Sequence, residues 1–166
     1  MSATAEYIET LARLKPGDLG MLRAHAGRGL DESIDAFDLF AGLWWPLRAK
    51  TDHAPRRETA WLIAKLYAFH PLPQSRRAHL ARSLGRLRPY ENPDRERFSE
   101  RFDRLLLLPF SALEPALQWA INCVASATAS DSVPTLDWVS LTDDLSLWER
   151  ESKRIKWAEL FLNPGK

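Results

Sequence analysis

The chain has 166 residues, 45% of them hydrophobic and 27% charged, with a formal net charge of +1. That length can bury the core of one ordinary domain, and so small a net charge excludes a uniformly polybasic or polyacidic protein. A single cysteine, Cys123, excludes an internal disulfide and any multi-cysteine metal site; within AINCVASA it reads as a small buried hydrophobe.

The N-terminus MSATAEYIET lacks the charged-then-apolar pattern of a signal peptide, and the longest apolar run, Leu105–Phe110, is too short to cross a membrane. A cytoplasmic protein is expected. Tyr7, Ile8, Leu11 and Leu14 predict a short first helix, ended by Lys15-Pro16-Gly17. Asp18 opens a second helix that closes at Gly27-Arg28-Gly29. A third starts at Asp31 or Ser33, places Ile34, Phe37, Phe40 and Ala41 on one face, and is ended by Trp44-Trp45-Pro46. The polar stretch AKTDHAPRRET then reads as an exposed, mobile loop carrying Lys50, Arg56 and Arg57. ETAWLIAKLYAFH is apolar nearly all round and predicts the central buried helix, with His70 at its end before Pro71 and Pro73.

The stretch from Gln74 to Arg104 is the most informative. No acid lies between Glu58 and Glu91, whereas Arg76, Arg77, Arg82, Arg86 and Arg88 fall inside that gap. At helical spacing Leu80, Leu84 and Leu87 gather on one side and His79, Arg82 and Arg86 on the other, which predicts a buried face backed by fixed positive charge. Pro89 ends this helix. Asn92-Pro93-Asp94 opens the next, with Asn at the N-cap and Pro at the first helical position, and Arg95, Arg97, Arg101 and Arg104 follow. The short connection predicts an antiparallel pair. A guanidinium matches phosphate geometry and stacks on bases, so the pair reads either as a phosphate-tracking surface or as a solvated helix face.

Ser111 to Glu114 has the form of a capping box with Pro115 in the first turn, and Leu117, Ile121 and Val124 continue that helix until it fades into ATASDS. Val133-Pro134-Thr135-Leu136-Asp137-Trp138 opens the last segment. From there to Leu162 no Gly or Pro intervenes, which predicts one long or two consecutive helices, with Trp148, Ile155, Ala158 and Leu162 on one side and Arg150 and Arg154 on another. No segment alternates as a strand does. The fold class is therefore all-α, a compact bundle of about eight helices in a single domain, with an N-terminal lobe over about 1–90 and a C-terminal lobe over about 91–166.

Catalytic chemistry finds little footing. His25, His53, His70 and His79 are scattered, Asp143-Asp144 stands without a second acidic cluster, and Ser83-Leu84-Gly85-Arg86 lacks the Lys and the preceding strand of a phosphate loop. No enzyme activity, metal or cofactor is expected. Of the seven tryptophans, Trp61, Trp119, Trp148 and Trp157 read as core or lobe-interface anchors, and core packing is also the better assignment for Trp44 and Trp45. Charge is strongly segregated: residues 41–104 hold fourteen Lys/Arg against seven Asp/Glu, whereas 105–149 hold six acids and no Lys or Arg. One face can thus meet nucleic acid and another a protein.

The order of these features resembles the CasB-type small subunit of the type I-E CRISPR surveillance complex, Cascade. Three blocks carry the resemblance: LARLKPGDLGMLRAHAGRGLDESIDAFDLF; Ser83-Leu84-Gly85-Arg86 followed by Arg95-x-Arg97-Phe98; and Val133–Trp138 with a terminal helix containing KRIKWAELF. It implies an all-helical, non-enzymatic subunit present as two copies beside the backbone and large subunits and the guide RNA, with a basic surface that stabilises the displaced non-target DNA strand of the R-loop. The matching positions are Arg23, Arg86, Arg97, Arg150 and Lys153; charge clustering alone adds Arg56, Arg57, Arg76, Arg77, Arg82 and Arg101. One departure stands out, because Trp119, Ala120 and Ile121 occupy a helix on which the family carries basic residues. Part of the family's basic surface is then missing or displaced toward the N-terminal lobe, and 105–149 becomes a candidate for protein docking. The competing reading is a helical scaffold or adaptor that binds no nucleic acid; salt-dependent DNA binding separates the two.

Overall fold

The computed structural model describes residues 1–127 and 132–165, and these form nine α-helices and two 3-10 turns. The helices are α1 (Ala3–Ala12), α2 (Pro16–Ala24), α3 (Ile34–Lys50), α4 (Arg57–Phe69), α5 (Leu80–Leu87), α6 (Asp94–Leu107), α7 (Leu113–Ala125), α8 (Trp138–Ser146) and α9 (Glu151–Leu162). Among the described residues the one β-type pairing is an isolated bridge between Gln74 and Leu136, and no helix is long and apolar enough to cross a membrane.

The core is built around α4. Every residue from Thr59 to Ala68 is buried, as its continuous apolar character predicts. Helices α2, α3, α7 and α8 all pack on it, and α1 bridges α3 and α8. Two polar groups at this core are paired: the Tyr7 hydroxyl donates to the Ala60 carbonyl at 2.7 Å, and Lys65 Nζ donates to Glu114 Oε1 at 2.5 Å and to the Arg28 carbonyl at 2.8 Å, whereas the buried Thr59 hydroxyl has no hydrogen-bond partner among the described residues. Burial pushes the Tyr7 hydroxyl well above the usual phenol range.

Several local expectations are corrected by tertiary contacts. Helix α3 does not end at Pro46 but runs through it to Lys50. Leu43, Trp44 and Leu47 on both sides of the proline are buried, and the Trp44 indole donates to the Pro55 carbonyl at 2.7 Å, so packing offsets the hydrogen bond that proline removes. The buried face of α3 is Ala36, Phe40, Leu43, Trp44 and Leu47, whereas Ile34 and Phe37 point outward. The following loop is correspondingly short and is tethered by that Trp44–Pro55 bond.

The capping box at Ser111 does not form. A 3-10 turn at Phe110–Ala112 precedes α7, and Glu114 instead accepts from the Gly27 amide at 2.8 Å and from Lys65. Nor do α5 and α6 form a pair: each packs on α9 and α7. The N-cap of α6 is Pro93 rather than Asn92. The last segment divides into α8 and α9 at Leu147–Arg150; the buried residues of α9 are Trp157 and Phe161, while Ile155 and Leu162 are exposed. The polar stretch after α7 lies mostly outside the described residues.

The block Val133–Trp138 is explained by what it touches. Leu136 exchanges backbone hydrogen bonds with the segment before α5 (Ser75 N–H to Leu136 O, 3.1 Å; Leu136 N–H to Pro73 O, 3.0 Å). Asp137 caps α8 through the Ser140 amide, and the buried Trp138 indole donates to the Leu72 carbonyl at 2.8 Å. Through these bonds the approach to α5 is fixed, and with it the position of the basic helix.

Candidate nucleic-acid interface

Helix α5 buries Leu80, Ala81 and Leu84, and turns Arg86 outward, where its guanidinium donates to the Pro164 carbonyl at 3.2 Å. Arg77, from the loop before α5, lines the same groove, a cavity of about 310 Å³ bordered by Ser83, Leu87, Val124 and Val133. On α6 the apolar face holds Phe98 and Phe102, stacked on Phe161 with the Phe102 ring centroid at 4.1 Å. Arg97 and Arg101 line a second groove of about 250 Å³ with Pro89, Asp94 and Trp119, and the Arg101 guanidinium lies 4.7 Å from the Trp119 ring centroid. The two grooves share no lining residue, but both draw on α7, through Val124 in the first and Trp119 in the second.

Among the described residues, none of Arg77, Arg86, Arg97 and Arg101 forms an ion pair with a carboxylate. A guanidinium stacked on an indole keeps its in-plane N–H groups free, so Arg101 presents donors to solvent beside a flat aromatic surface. Its charge also reaches Cys123: burial pushes that thiol up, and Arg101 pulls it partly back.

The other sequence-selected residues lie elsewhere. Arg23 donates to the Ala68 carbonyl at 3.2 Å and closes the end of α4. Arg56 lies over the Phe110 ring and Arg57 pairs with Glu58 at 3.3 Å, both near a cavity of about 500 Å³ lined by Trp61, Lys65 and Glu114. Arg76 lines a separate groove with Met1, Ile8 and Asp137. Arg82 is only half exposed, and its Nε is buried without a hydrogen-bond partner, so its stem packs against protein rather than standing in water. Arg150 is exposed before α9, whereas Lys153 is committed to Asp144 at 3.4 Å.

His79, expected on the solvated arginine face, is buried. Its Nδ1 accepts from the Ala81 amide at 3.1 Å, which caps α5 and leaves Nε2 to donate to Asp144 Oδ2 at 3.0 Å. Asp144 also accepts from the Trp157 indole at 2.8 Å. Burial alone would raise the Asp144 pKa, but the hydrogen bonds from His79 and Trp157, with the charge of Lys156, outweigh it and hold the carboxyl below the usual range. The acidic pair at Asp143-Asp144 is thus structural, with Asp143 accepting from Thr4 at 2.7 Å. Among the described residues no group of His, Cys, Asp and Glu could hold a metal ion.

Sequence reasoning read Trp119 as a core or lobe-interface anchor; it is half-buried, packed on the core and on Phe98, and also lines the second groove. That reasoning passed over Arg88 and Arg154, whose guanidiniums lie over the Phe161 and Trp148 rings. Burial and the neighbouring charge of Arg95 lower the Arg88 pKa.

The fold is shared with crystal structures of CasB from Thermus thermophilus (22% identity, 97% of this chain and 98% of that chain, TM-score 0.73), M. ruber (24%, 97% and 93%, 0.70) and Thermobifida fusca (19%, 96% and 97%, 0.71). No curated protein sequence matches the chain. The model of the family described as CRISPR-associated protein Cse2 matches residues 18–161. That match spans the basic stretch, the Val133–Trp138 block and nearly all of α9, and the chain belongs to the CRISPR-associated Cse2 family.

Proposed function

We propose that the chain is the non-catalytic small subunit of a type I-E CRISPR surveillance complex, Cascade, and that it holds the displaced non-target DNA strand of the R-loop. The observation that carries this reading is the set of four guanidiniums, Arg77 and Arg86 at one groove and Arg97 and Arg101 at another, which among the described residues form no ion pair with a carboxylate. Displaced DNA offers phosphates and unstacked bases, and guanidiniums with an indole beside two of them bind both without reading sequence. In this reading the guide RNA and the other Cascade subunits, including a second copy, flank the same chain, and Arg23, Arg56, Arg57, Arg76, Arg82, Arg150 and Lys153 are secondary contributors.

The test is anisotropy of labelled single-stranded DNA of several sequences, titrated with protein over a salt series. Affinity is expected to fall steeply with salt, by a log–log slope of about 0.7 per phosphate contacted. The variant Arg77→Ala/Arg86→Ala/Arg97→Ala/Arg101→Ala should weaken binding alike on all sequences and flatten the slope by up to about 3. Unchanged affinity and slope in that variant, at an unchanged melting temperature, would remove these grooves from the reading and favour the scaffold alternative.

A further inference from the structure

The N-terminal half of α3 carries a feature that the nucleic-acid reading does not use. Ile34 is 84% exposed, Phe37 47% and Trp45 62%, and with the half-buried Ala41 they fall at i, i+3, i+7 and i+11 along one face. This apolar stripe runs about 16 Å, three turns of helix. At its N-terminal end Leu30, Ile34 and Phe37 floor a groove of about 320 Å³ whose walls include Asp31, Asp38 and Arg57. Around that end stand four exposed carboxylates, Asp31, Glu32, Asp35 and Asp38, and among the described residues none of them takes part in an ion pair. Some exposed acids elsewhere do pair, Glu9 with Arg13, Asp52 with Arg48 and Glu100 with Arg104, but no other cluster of exposed acids flanks an exposed apolar stripe on this helix. The single base at the groove, Arg57, is itself paired with Glu58.

We propose that this face of α3 is a docking site for a helix of a partner protein that carries apolar anchors at helical spacing and lysine or arginine on its flanks. Exposed aromatic and β-branched side chains in a continuous stripe are what an interface buries, and the groove accepts one large apolar side chain as its anchor. The unpaired acids fix the sign of the partner's rim and repel nucleic acid, so this face and the arginine grooves select opposite partners. The site lies within residues 30–45, outside the acidic stretch 105–149 that the sequence offered for protein docking.

The probes are two labelled helical peptides with identical leucines at i, i+3, i+4 and i+7, one flanked by lysine and one by glutamate, each titrated into the full-length chain. The lysine-flanked peptide is expected to bind at least about tenfold more tightly than the glutamate-flanked one, more weakly as salt rises, and to shift the emission of the exposed Trp45. Ile34→Ser/Trp45→Ser and, separately, Asp35→Lys/Asp38→Lys should each abolish that preference, whereas Arg77→Ala/Arg86→Ala should leave it unchanged. Because all these side chains are exposed, a melting curve for each variant checks that the fold is intact. Equal binding of both peptides, no binding of either, or binding that survives Ile34→Ser/Trp45→Ser would overturn the proposal. So would sedimentation showing that the wild-type chain self-associates through this face and the double variant does not, because the occupant would then be a second copy. Failure of DNA binding would not touch this test.

Discussion

Gly85→Ala is expected to destabilise the protein, by about 2 kcal/mol, although alanine is ordinarily the better helix residue by about 1 kcal/mol. The reason is the packing of α5 on α9. A Cβ at position 85 would overlap the Phe161 carbonyl oxygen and lie 3.0 Å from its carbonyl carbon and Cα. These are backbone atoms and cannot rotate away, so the two helices must separate. Separation pulls Phe161 off Phe98 and Phe102, whose rings stack on it. Gly42→Ala supplies the control, because Gly42 is an exposed helical glycine with nothing within 4 Å of its would-be Cβ. That change should stabilise by about 0.5–1 kcal/mol. At roughly 2–4 °C per kcal/mol for a chain of this size, thermal unfolding should show shifts of opposite sign. Equal shifts would mean that α5 and α9 are not in close contact.

Asp144→Asn is expected to cost about 3 kcal/mol, which corresponds to roughly 6–12 °C in melting temperature. Asp144 is 2% exposed; its carboxylate accepts from His79 and Trp157 and forms an ion pair with Lys153 at 3.4 Å. Asparagine keeps one acceptor oxygen but turns an NH₂ toward groups that are all donors, and it leaves Lys153 without its counter-charge. The pH dependence follows from the lowered pKa of Asp144. Its unfolded value is near the ordinary aspartate value of about 3.9, and its folded value is lower. The carboxylate's contribution is therefore complete above the unfolded value and is lost as pH falls through the folded one. The stability difference between wild type and Asp144→Asn should be constant above about pH 5 and should narrow below about pH 4. Chemical denaturation at a series of pH values measures it, and a gap that persists undiminished at low pH would show that charge is not what Asp144 contributes.

The destabilising effect of either change bears on function through geometry. His79, which Asp144 holds, caps α5, and Gly85 seats α5 against α9; together they fix the direction in which Arg86 leaves the helix. The same framework sets Arg77, whose loop is tied to Leu136. A nucleic-acid interface made of long, flexible side chains gains affinity when their starting points are rigid, because less conformational entropy is lost on binding. The arginine grooves and the acidic α3 face are thus two differently charged surfaces supported by one core.

What the sequence determined by itself was set by local physics. The all-helical class, the burial of Thr59 to Ala68 in α4 and the helix end at His70 follow from periodicity, from continuous apolar character and from proline. The order of the three blocks was enough for the family resemblance, which the match over 18–161 bears out. Tertiary structure decided the rest, wherever a residue's partner lay far along the chain. Glu114 abandons its local cap because Lys65 and the Gly27 amide offer it a buried charge partner and a donor. His79 leaves the arginine face because Asp144, 65 residues away, accepts its proton donor in a site closed by Trp157. Trp119 lines a groove as well as the core because α6 brings Phe98 against its ring and Arg101 over it. Spacing along one helix says which side chains share a face, but which face is buried depends on the elements packed against it. On α3 that distinction placed Phe40 and Trp44 inside and left Ile34 and Trp45 in water.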